Sequence, residues 1–378
     1  MTWIRDNILK IVVLLIVFII AIVLVSIFSG KKGPKGENAN GYTELENKLQ
    51  SAAIKYARDN ETILPQDRDE QTTIKLEKLI KGNYINNIKA IENSSVSCNG
   101  YVVIERLSTD EEDYKFYPHL NCGKYYSTST ISEKIKSQEK IVTENDGLYQ
   151  INDDLVFKGE YPRNYIKLDN KVYRILRINS DDELALISTS RTLDFYTWDD
   201  RYNEEADNYF GINNFLKSRL KDSLEYLYVN SNDDEYDGEV GFSINEKKYF
   251  IYHDFCIGKK SINDLRIDMN SVCKNLYNGR IGIINTVEYY QVSTDPNCNQ
   301  MGKLDCNNYN YLYGYEDNTF MTLTASADDT YSYYIISEGI METERTSYSR
   351  ILYPVVYISK ENIYVSGDGT KDNPYVIR

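Results

Sequence analysis

The sequence has little histidine and tryptophan, and basic residues do not predominate. Its 378 residues include two histidines, two tryptophans and seven prolines, and 43 Lys and Arg stand against 57 Asp and Glu, a formal net charge of −14. Two imidazoles exclude a His-rich metal centre and leave His119 and His253 as the imidazole bases. The acidic balance argues against a nucleic-acid partner, because proteins that bind nucleic acid present a basic face to the phosphates.

The overall composition is that of a folded protein. Hydrophobic residues make up 42% and charged residues 26%, which is typical of globular chains and not of disordered ones. At roughly 100–200 residues per domain, the length allows two domains, with a third as the upper limit. Tyrosine is abundant, with 35 residues.

An uncharged apolar run from residue 11 to residue 30 predicts a transmembrane helix. About 20 apolar residues in a helix cover the hydrocarbon layer, whereas a cleaved signal peptide has a shorter apolar region and a small-residue cleavage site. Flanking Lys and Arg slightly favour a cytoplasmic body, but the short N-terminal tail and the cysteines favour the opposite orientation. We therefore expect a cytoplasmic tail at 1–10, an anchor in the lipid bilayer at 11–30, and a single-pass membrane protein with its C-terminal body extracellular.

The six cysteines predict disulfides. None forms a Cys-x-x-Cys motif, which argues against a zinc ribbon, and an even number of cysteines suits an oxidising compartment. Cys98 and Cys122 form one predicted pair. The other four, Cys256, Cys273, Cys298 and Cys306, pair most simply in sequence order, although they allow three connectivities.

The pattern after the apolar run predicts a small helix-plus-sheet domain. Gly, Pro and Lys at 31–41 predict a flexible tether. Apolar residues recur at helical spacing over 42–60 and 72–81, and strand-like segments follow at 84–91, 101–107 and 114–120. We place this domain at 42–128, and the polar stretch at 129–147 reads as a linker.

The C-terminal part, residues 148–378, predicts a larger α+β domain. A hairpin is expected from 172–178 and 183–189 across a polar turn. Helical periodicity appears over 212–228 and 261–277. Further strands are expected at 241–253, 281–284, 332–336, 351–358 and 375–377. Few helices among many short strands define an α+β class.

The N-terminal part resembles type IV pilins and pseudopilins in its order of elements. An apolar helix, an amphipathic helix and a small disulfide-bearing sheet follow one another in those families. Their cleavage motif is absent at Met1–Asp6, and the glycines of 30–41 interrupt the helix. The resemblance therefore implies a pilin-like shape for 42–128 and leaves pilus assembly without support.

The C-terminal part resembles a domain of surface proteins from low-GC Gram-positive bacteria, related to C-type-lectin-like and formylglycine-generating-enzyme-like folds. The segments that carry the resemblance are Tyr173–Ile178, Gly211–Leu216, Ile281–Tyr289, Asn310–Leu312, Met321–Thr324, Tyr353–Ile358, Gly367–Thr370 and Asn373–Ile377. The resemblance implies a binding module more often than an enzyme, and no reactive cysteine pair of the enzymatic relatives maps onto this chain.

Two segments are candidate binding sites. Tyr309, Tyr311, Tyr313 and Tyr315 alternate, so in a strand they would line one face and could stack on a glycan or a protein ligand. Asp233, Glu235 and Asp237 alternate as calcium ligands do, but the alternative is a solvated hairpin tip. Residues 199–207 are similarly rich in oxygen. Apart from this calcium alternative, we expect no cofactor.

No catalytic constellation emerges. His253 and Cys256 would point to opposite faces of a strand, and a disulfide is the simpler role for the cysteine. We therefore expect an envelope protein that displays a ligand-binding or adhesion domain without catalysis. The alternatives are an envelope enzyme that uses two carboxylates on a wall polymer, and a structural component of a pilus-like or secretion apparatus.

Overall fold

The computed structural model describes residues 36–68, 70–108, 113–192, 194–204, 207, 209–229, 242–263, 273, 275–298, 308–313 and 319–378. Within these ranges the fold is mixed α+β, rich in strands with few helices, as the sequence predicts. Contacts divide the chain into two units. The first holds the described residues up to Asn60 with 74–102 and 120–127, and the second holds 61–73, 103–119 and the described residues from Thr128 onward.

The α-helices, in chain order, are α1 (Gly36–Asp59), α2 (Leu76–Lys81), α3 (Ile131–Gln138), α4 (Arg219–Val229), α5 (Ile244–Lys247) and α6 (Thr286–Gln291). Short 3₁₀ turns lie at Glu61–Ile63 and Phe215–Lys217.

The strands up to the middle of the chain are β1 (Gln71–Lys75), β2 (Asn99–Arg106), β3 (Tyr114–Asn121), β4 (Gly147–Ile151), β5 (Asp154–Lys158), β6 (Tyr165–Leu168), β7 (Lys171–Ile178), β8 (Leu184–Ser188), β9 (Tyr196–Thr197) and β10 (Phe250–Ile251). The later strands are β11 (His253–Cys256), β12 (Gly258–Lys260), β13 (Leu276–Gly279), β14 (Gly282–Ile283), β15 (Thr319–Ser326), β16 (Ser332–Ser337), β17 (Ile340–Arg345), β18 (Ser349–Arg350), β19 (Pro354–Ile358), β20 (Tyr364–Ser366) and β21 (Tyr375–Ile377).

The predicted localisation is contradicted. Among the described residues, no helix is both long and apolar enough to cross a bilayer. Helix α1 has 24 residues, which is sufficient length, but its sequence is polar on average, and the cost of placing charged side chains in hydrocarbon is several kcal/mol each. The apolar run at 11–30 itself lies outside the described residues.

The first unit packs one face of α1 into a small core. The buried side chains of α1 are Tyr42, Leu49, Ala52, Ala53 and Ala57, which repeat at the helical spacing that the sequence predicts. The Tyr42 ring stacks on Tyr126 with centroids 4.2 Å apart, and the buried Glu46 carboxylate accepts a 2.9 Å hydrogen bond from the Tyr126 hydroxyl. Burial, helped by the hydrogen bond to Glu92, raises the pKa of Tyr42 to about 12.

The Cys98–Cys122 disulfide, whose cysteines are 24 positions apart in the sequence, lies within this unit and confirms the predicted pair. The predicted helix over 72–81 is wrong in its first half, because β1 covers Gln71–Lys75 and only Leu76–Lys81 is helical. Two consecutive threonines and an isoleucine there favour an extended backbone. Helix α1 also begins at Gly36, within the segment that we predicted as a tether.

The second unit is built on a ten-stranded sheet with the main order β10-β19-β8-β7-β6-β21-β20. Strands β7 and β8 form the hairpin that the sequence predicts. A four-stranded sheet in the order β12-β15-β16-β17 belongs to the same unit. One large apolar cluster spans this unit and includes Trp198, Tyr333 and most of the apolar residues of β7, β8 and β19.

The stretch at 129–147, predicted as a linker, contains helix α3. Thr130 and Glu133 form a capping box at its first turn, and Ile131 and Ile135, four residues apart, are fully buried. Two apolar residues at this spacing are sufficient to dock one short helix.

The predicted strand at 241–253 is also partly wrong, because Ser243 and Glu246 cap the short helix α5. The predicted helix at 261–277 lies mostly outside the described residues, and its last positions belong to β13.

Candidate functional site

The tyrosine row does not form the predicted strand. The described part, residues 309–313, consists of turns and one isolated bridge at Asn310. Tyr309 and Tyr313 are exposed by 57% and 41%, whereas Tyr311 is 4% exposed. The tyrosines therefore do not share one face. Tyr315 lies outside the described residues, and so do the predicted calcium ligands Asp233, Glu235 and Asp237.

Within the described ranges, no three His, Cys, Asp or Glu residues are grouped so that they could hold a metal ion. In the oxygen-rich stretch at 199–207, the buried Asp199 carboxylate accepts hydrogen bonds from Arg201 Nε at 2.6 Å and from the backbone N–H of Ile212 at 3.2 Å. These bonds give Asp199 a role in fixing its own loop.

Tyr311 packs on a buried arginine. The Arg174 guanidinium lies between the rings of Tyr165 and Tyr311, 4.2 and 4.3 Å from their centroids. Arg174 Nε donates a 2.7 Å hydrogen bond to Asn164 Oδ1, and Nη1 donates a 2.9 Å bond to the Tyr165 hydroxyl. Burial raises the pKa of Tyr311, so this ring stays neutral and serves as a packing surface.

A β-bulge places a second arginine on the same face of the sheet. The register between β7 and β8 shifts between Ile175 and Arg177, so that Arg174 opposes Ile187 and Arg177 opposes Ala185, two residues that share a face. Arg177 Nη2 lies 3.1 Å from both Glu288 Oε1 and Gln291 Oε1 of α6, and Nη1 lies 3.4 Å from Asp154 Oδ2. Burial lowers the pKa of Arg177, but Glu288, Tyr357 and Asp154 outweigh this effect, and the pKa rises.

His253 lies beside this cluster. Its ring stacks on Tyr357 with centroids 3.4 Å apart, and Nδ1 lies 3.4 Å from Glu183 Oε2. Cys256 is bonded to Cys273, as predicted, and so it has no free thiol for His253 to activate. Cys298 is disulfide-bonded, while Cys306 lies outside the described residues.

We expect Tyr311→Leu to lower the free energy of unfolding by about 2 kcal/mol, since it removes one aromatic face from a desolvated guanidinium. Chemical denaturation would measure this loss. Tyr309→Leu, at an exposed position two residues away, should stay within about 0.5 kcal/mol of the parent protein. An equal loss in both variants would contradict this role for Tyr311.

A groove of about 560 Å³ opens along the four-stranded sheet of the second unit. We call it the β17 groove, and its lining residues are Arg191, Phe195, Thr319, Ile335, Ser337, Glu342, Thr343, Glu344, Arg350 and Ile351. The sequence analysis singled out none of these residues. They lie on four strands and in the loops beside them, and no regular spacing along the sequence connects them.

The register of the sheet explains why these side chains meet. Thr319 opposes Ser337, and Ile335 opposes Glu342, and directly opposed residues of antiparallel strands lie on the same face. The Thr319 and Ser337 hydroxyl oxygens are 3.3 Å apart. Thr319, Ser337, Ile335 and Glu342 therefore lie on one face of three neighbouring strands.

The walls of the groove carry charge and one exposed ring. Arg350 forms an ion pair with Glu344 through Nη2, and Arg350 Nη1 donates a 3.1 Å bond to the carbonyl of Ser349. Phe195 is 65% exposed although it is fully apolar. The groove thus presents donors, acceptors and one aromatic face to solvent.

A buried asparagine fixes the turn between β15 and β16, at the end of these strands away from the groove residues Thr319 and Ser337. Asn213, within the segment Gly211–Leu216, donates from Nδ2 to the carbonyl oxygens of Ser326, Asp329 and Ser332 at 2.7–2.8 Å. These three acceptors lie at the end of β15, the following turn and the start of β16. A rigid pair of strands is what a preformed binding groove requires.

Comparisons with protein-family models, with curated proteins and with solved structures each found no match to this chain.

Proposed function

We propose that the second unit is a ligand-binding module and that the β17 groove takes a polyhydroxylated ligand of the glycan class. The observation that carries the proposal is the combination, in one groove, of the exposed Phe195 ring with hydroxyl, carboxylate and guanidinium side chains. Sugars have an apolar face that stacks on aromatic rings, and their hydroxyl groups pair with charged donors and acceptors.

The chemistry of the edge strand favours a glycan over an added peptide strand. Among the described residues, β17 is an edge strand of its sheet, and it carries Glu342, Glu344 and Arg345. Charged side chains on an edge strand oppose pairing with another strand. Glu342 is exposed and lines the groove, so its carboxylate can accept hydrogen bonds from a smaller polar ligand.

A glycan array followed by calorimetry with the full chain would test this function. Phe195→Ala should weaken binding of a positive glycan at least about tenfold, which corresponds to the loss of about 1.4 kcal/mol of stacking. Tyr161→Ala is the matched control, because Tyr161 is 76% exposed and does not line the groove. Unchanged binding in Phe195→Ala, or an equal loss in the control, would contradict the proposal.

A carboxylate-based hydrolase is a second candidate, favoured by one observation. Glu342 and Glu344 are two positions apart on β17 and both line the groove, so their side chains project from the same face of the strand, and glycosidases act through a pair of carboxyl groups that face one site. The ion pair between Glu344 and Arg350 argues for recognition, since it compensates the charge of that carboxylate. Time-dependent release of reducing ends that is lost in Glu342→Gln would favour the enzyme instead.

A further inference from the structure

A lysine and an asparagine side chain meet in the second unit, remote in sequence from one another. Lys115 Nζ lies 3.0 Å from Oδ1 of Asn362 and 3.3 Å from the carbonyl oxygen of Lys248. The rings of Tyr117 and Tyr249 flank the amine, with centroids 5.0 and 4.3 Å from Nζ. Asn362 is fully buried, and its Nδ2 donates a 2.7 Å bond to the carbonyl of Ser359.

A buried carboxyl group lies in the same cluster. Glu105 is 6% exposed, and its carboxylate oxygens accept hydrogen bonds from Tyr117 Oη at 2.8 Å, Gln71 Nε2 at 2.8 Å and Ser359 Oγ at 3.1 Å. Ser359 therefore contacts both Glu105 and Asn362. Tyr117 and Lys115 alternate on β3 and so project from the same side of that strand.

The environment suits an amine that attacks a carbonyl. Burial lowers the pKa of Lys115 to about 8, although the charges of Glu105 and Asp113 oppose the shift and that of Lys248 adds to it. A neutral amine is the nucleophilic form. Burial likewise raises the pKa of Glu105, so this group can hold a proton and transfer it.

We propose that Lys115 and Asn362 join in an intramolecular isopeptide bond, with Glu105 as the proton-transfer group. Lys115 Nζ attacks Cγ of Asn362, the Nζ–Cγ bond forms and the Cγ–Nδ2 bond breaks. Glu105 carries one proton from Nζ to the departing Nδ2, and ammonia leaves. The reaction requires no oxidant, reductant or other reactant.

The chain contains a matched control for this chemistry. Lys248 Nζ lies 3.0 Å from Asn245 Oδ1, the same separation as in the Lys115–Asn362 pair, but on an exposed surface. There the amine is open to water and lacks the buried surroundings of Lys115. We therefore expect no bond between Lys248 and Asn245, and this comparison separates buried-site chemistry from mere proximity.

Mass spectrometry of the intact, reduced full chain would test the proposal. We expect a mass lower than that of the sequence by one ammonia, and a branched peptide that joins Lys115 to Asn362 after digestion. Peptides that contain Lys248 and Asn245 should show no such link. Because the bond closes a loop of 247 residues, the denatured chain should also migrate faster in gels than an unlinked variant.

Three substitutions assign the roles. Lys115→Met and Asn362→Ser should each have the full mass expected from the variant's own sequence. Glu105→Gln, which keeps the shape of the side chain, should leave the two residues unlinked.

Succinimide formation at Asn99-Gly100 or Asn278-Gly279 also releases ammonia, so the branched peptide is the deciding observation. A wild-type chain of full mass, or an ammonia loss that persists in Lys115→Met, would overturn the bond. A bond that forms in Glu105→Gln would overturn the role of Glu105.

Discussion

Replacing Trp198 with alanine is expected to lower the free energy of unfolding by about 3–5 kcal/mol, because deletion of a large buried ring leaves a cavity that the surroundings only partly fill. Trp198 has no solvent exposure. Its ring stacks on Tyr333 with centroids 5.0 Å apart and meets Phe215 edge-on at 6.0 Å. It therefore joins strand β16 to the segment before α4.

Denaturation followed by far-ultraviolet circular dichroism would measure this loss, since the substitution also removes a fluorophore. Tyr348→Ala is the control, because Tyr348 is 53% exposed and a surface substitution usually changes stability by less than about 0.5 kcal/mol. A loss below about 1 kcal/mol in Trp198→Ala would show that the aromatic cluster around Tyr333 is not a tightly packed core.

Local sequence signals predicted the parts of the fold that depend on local structure. The hairpin of β7 and β8 follows from two apolar runs separated by a polar turn, and the structure has it at Lys171–Ile178 and Leu184–Ser188. The apolar face of α1 follows from helical spacing. Both cysteine pairs that the structure describes join near neighbours in the sequence, as short loop closure favours.

The prediction failed where tertiary contacts decide the outcome. The tyrosines of 309–315 alternate as strand residues do, but Tyr311 is drawn inward by the Arg174 guanidinium while Tyr309 adopts a positive φ of 48° in a turn. Arg174 is far from Tyr311 in the sequence, so no local pattern could reveal their contact. A regular alternation of aromatic residues therefore does not by itself define a strand.

The β17 groove shows that the same limit applies to a candidate site whose residues are far apart in the sequence. Phe195 and Arg191 precede β9, whereas Glu342 and Glu344 lie on β17, about 150 residues later. Only the pairing of β15, β16 and β17 brings the hydroxyl and carboxylate side chains to one face. The sequence led us to predict a binding module, but it could not indicate which residues line this groove.

Removing the Cys98–Cys122 disulfide by a double substitution to alanine is expected to cost about 3.5 kcal/mol of stability in the first unit. The unfolded chain then regains the entropy of a loop whose ends are 24 residues apart, and chain-entropy theory gives about this value for that length. Alanine is the appropriate replacement, because both cysteines are buried and serine would place an extra hydroxyl in the core.

Hydrogen exchange of the backbone amides of α1 would report this loss where it occurs, since the buried face of α1 belongs to the same unit as the disulfide. The matched control is the double alanine substitution of Cys256 and Cys273, which are 17 residues apart in the second unit. By the same theory, closing this loop stabilises the second unit by about 3 kcal/mol, but removal of this disulfide should leave the hydrogen exchange of α1 unchanged. If the two double variants accelerate α1 exchange equally, the disulfides stabilise one cooperative structure, and the separate stability expected for the first unit is wrong.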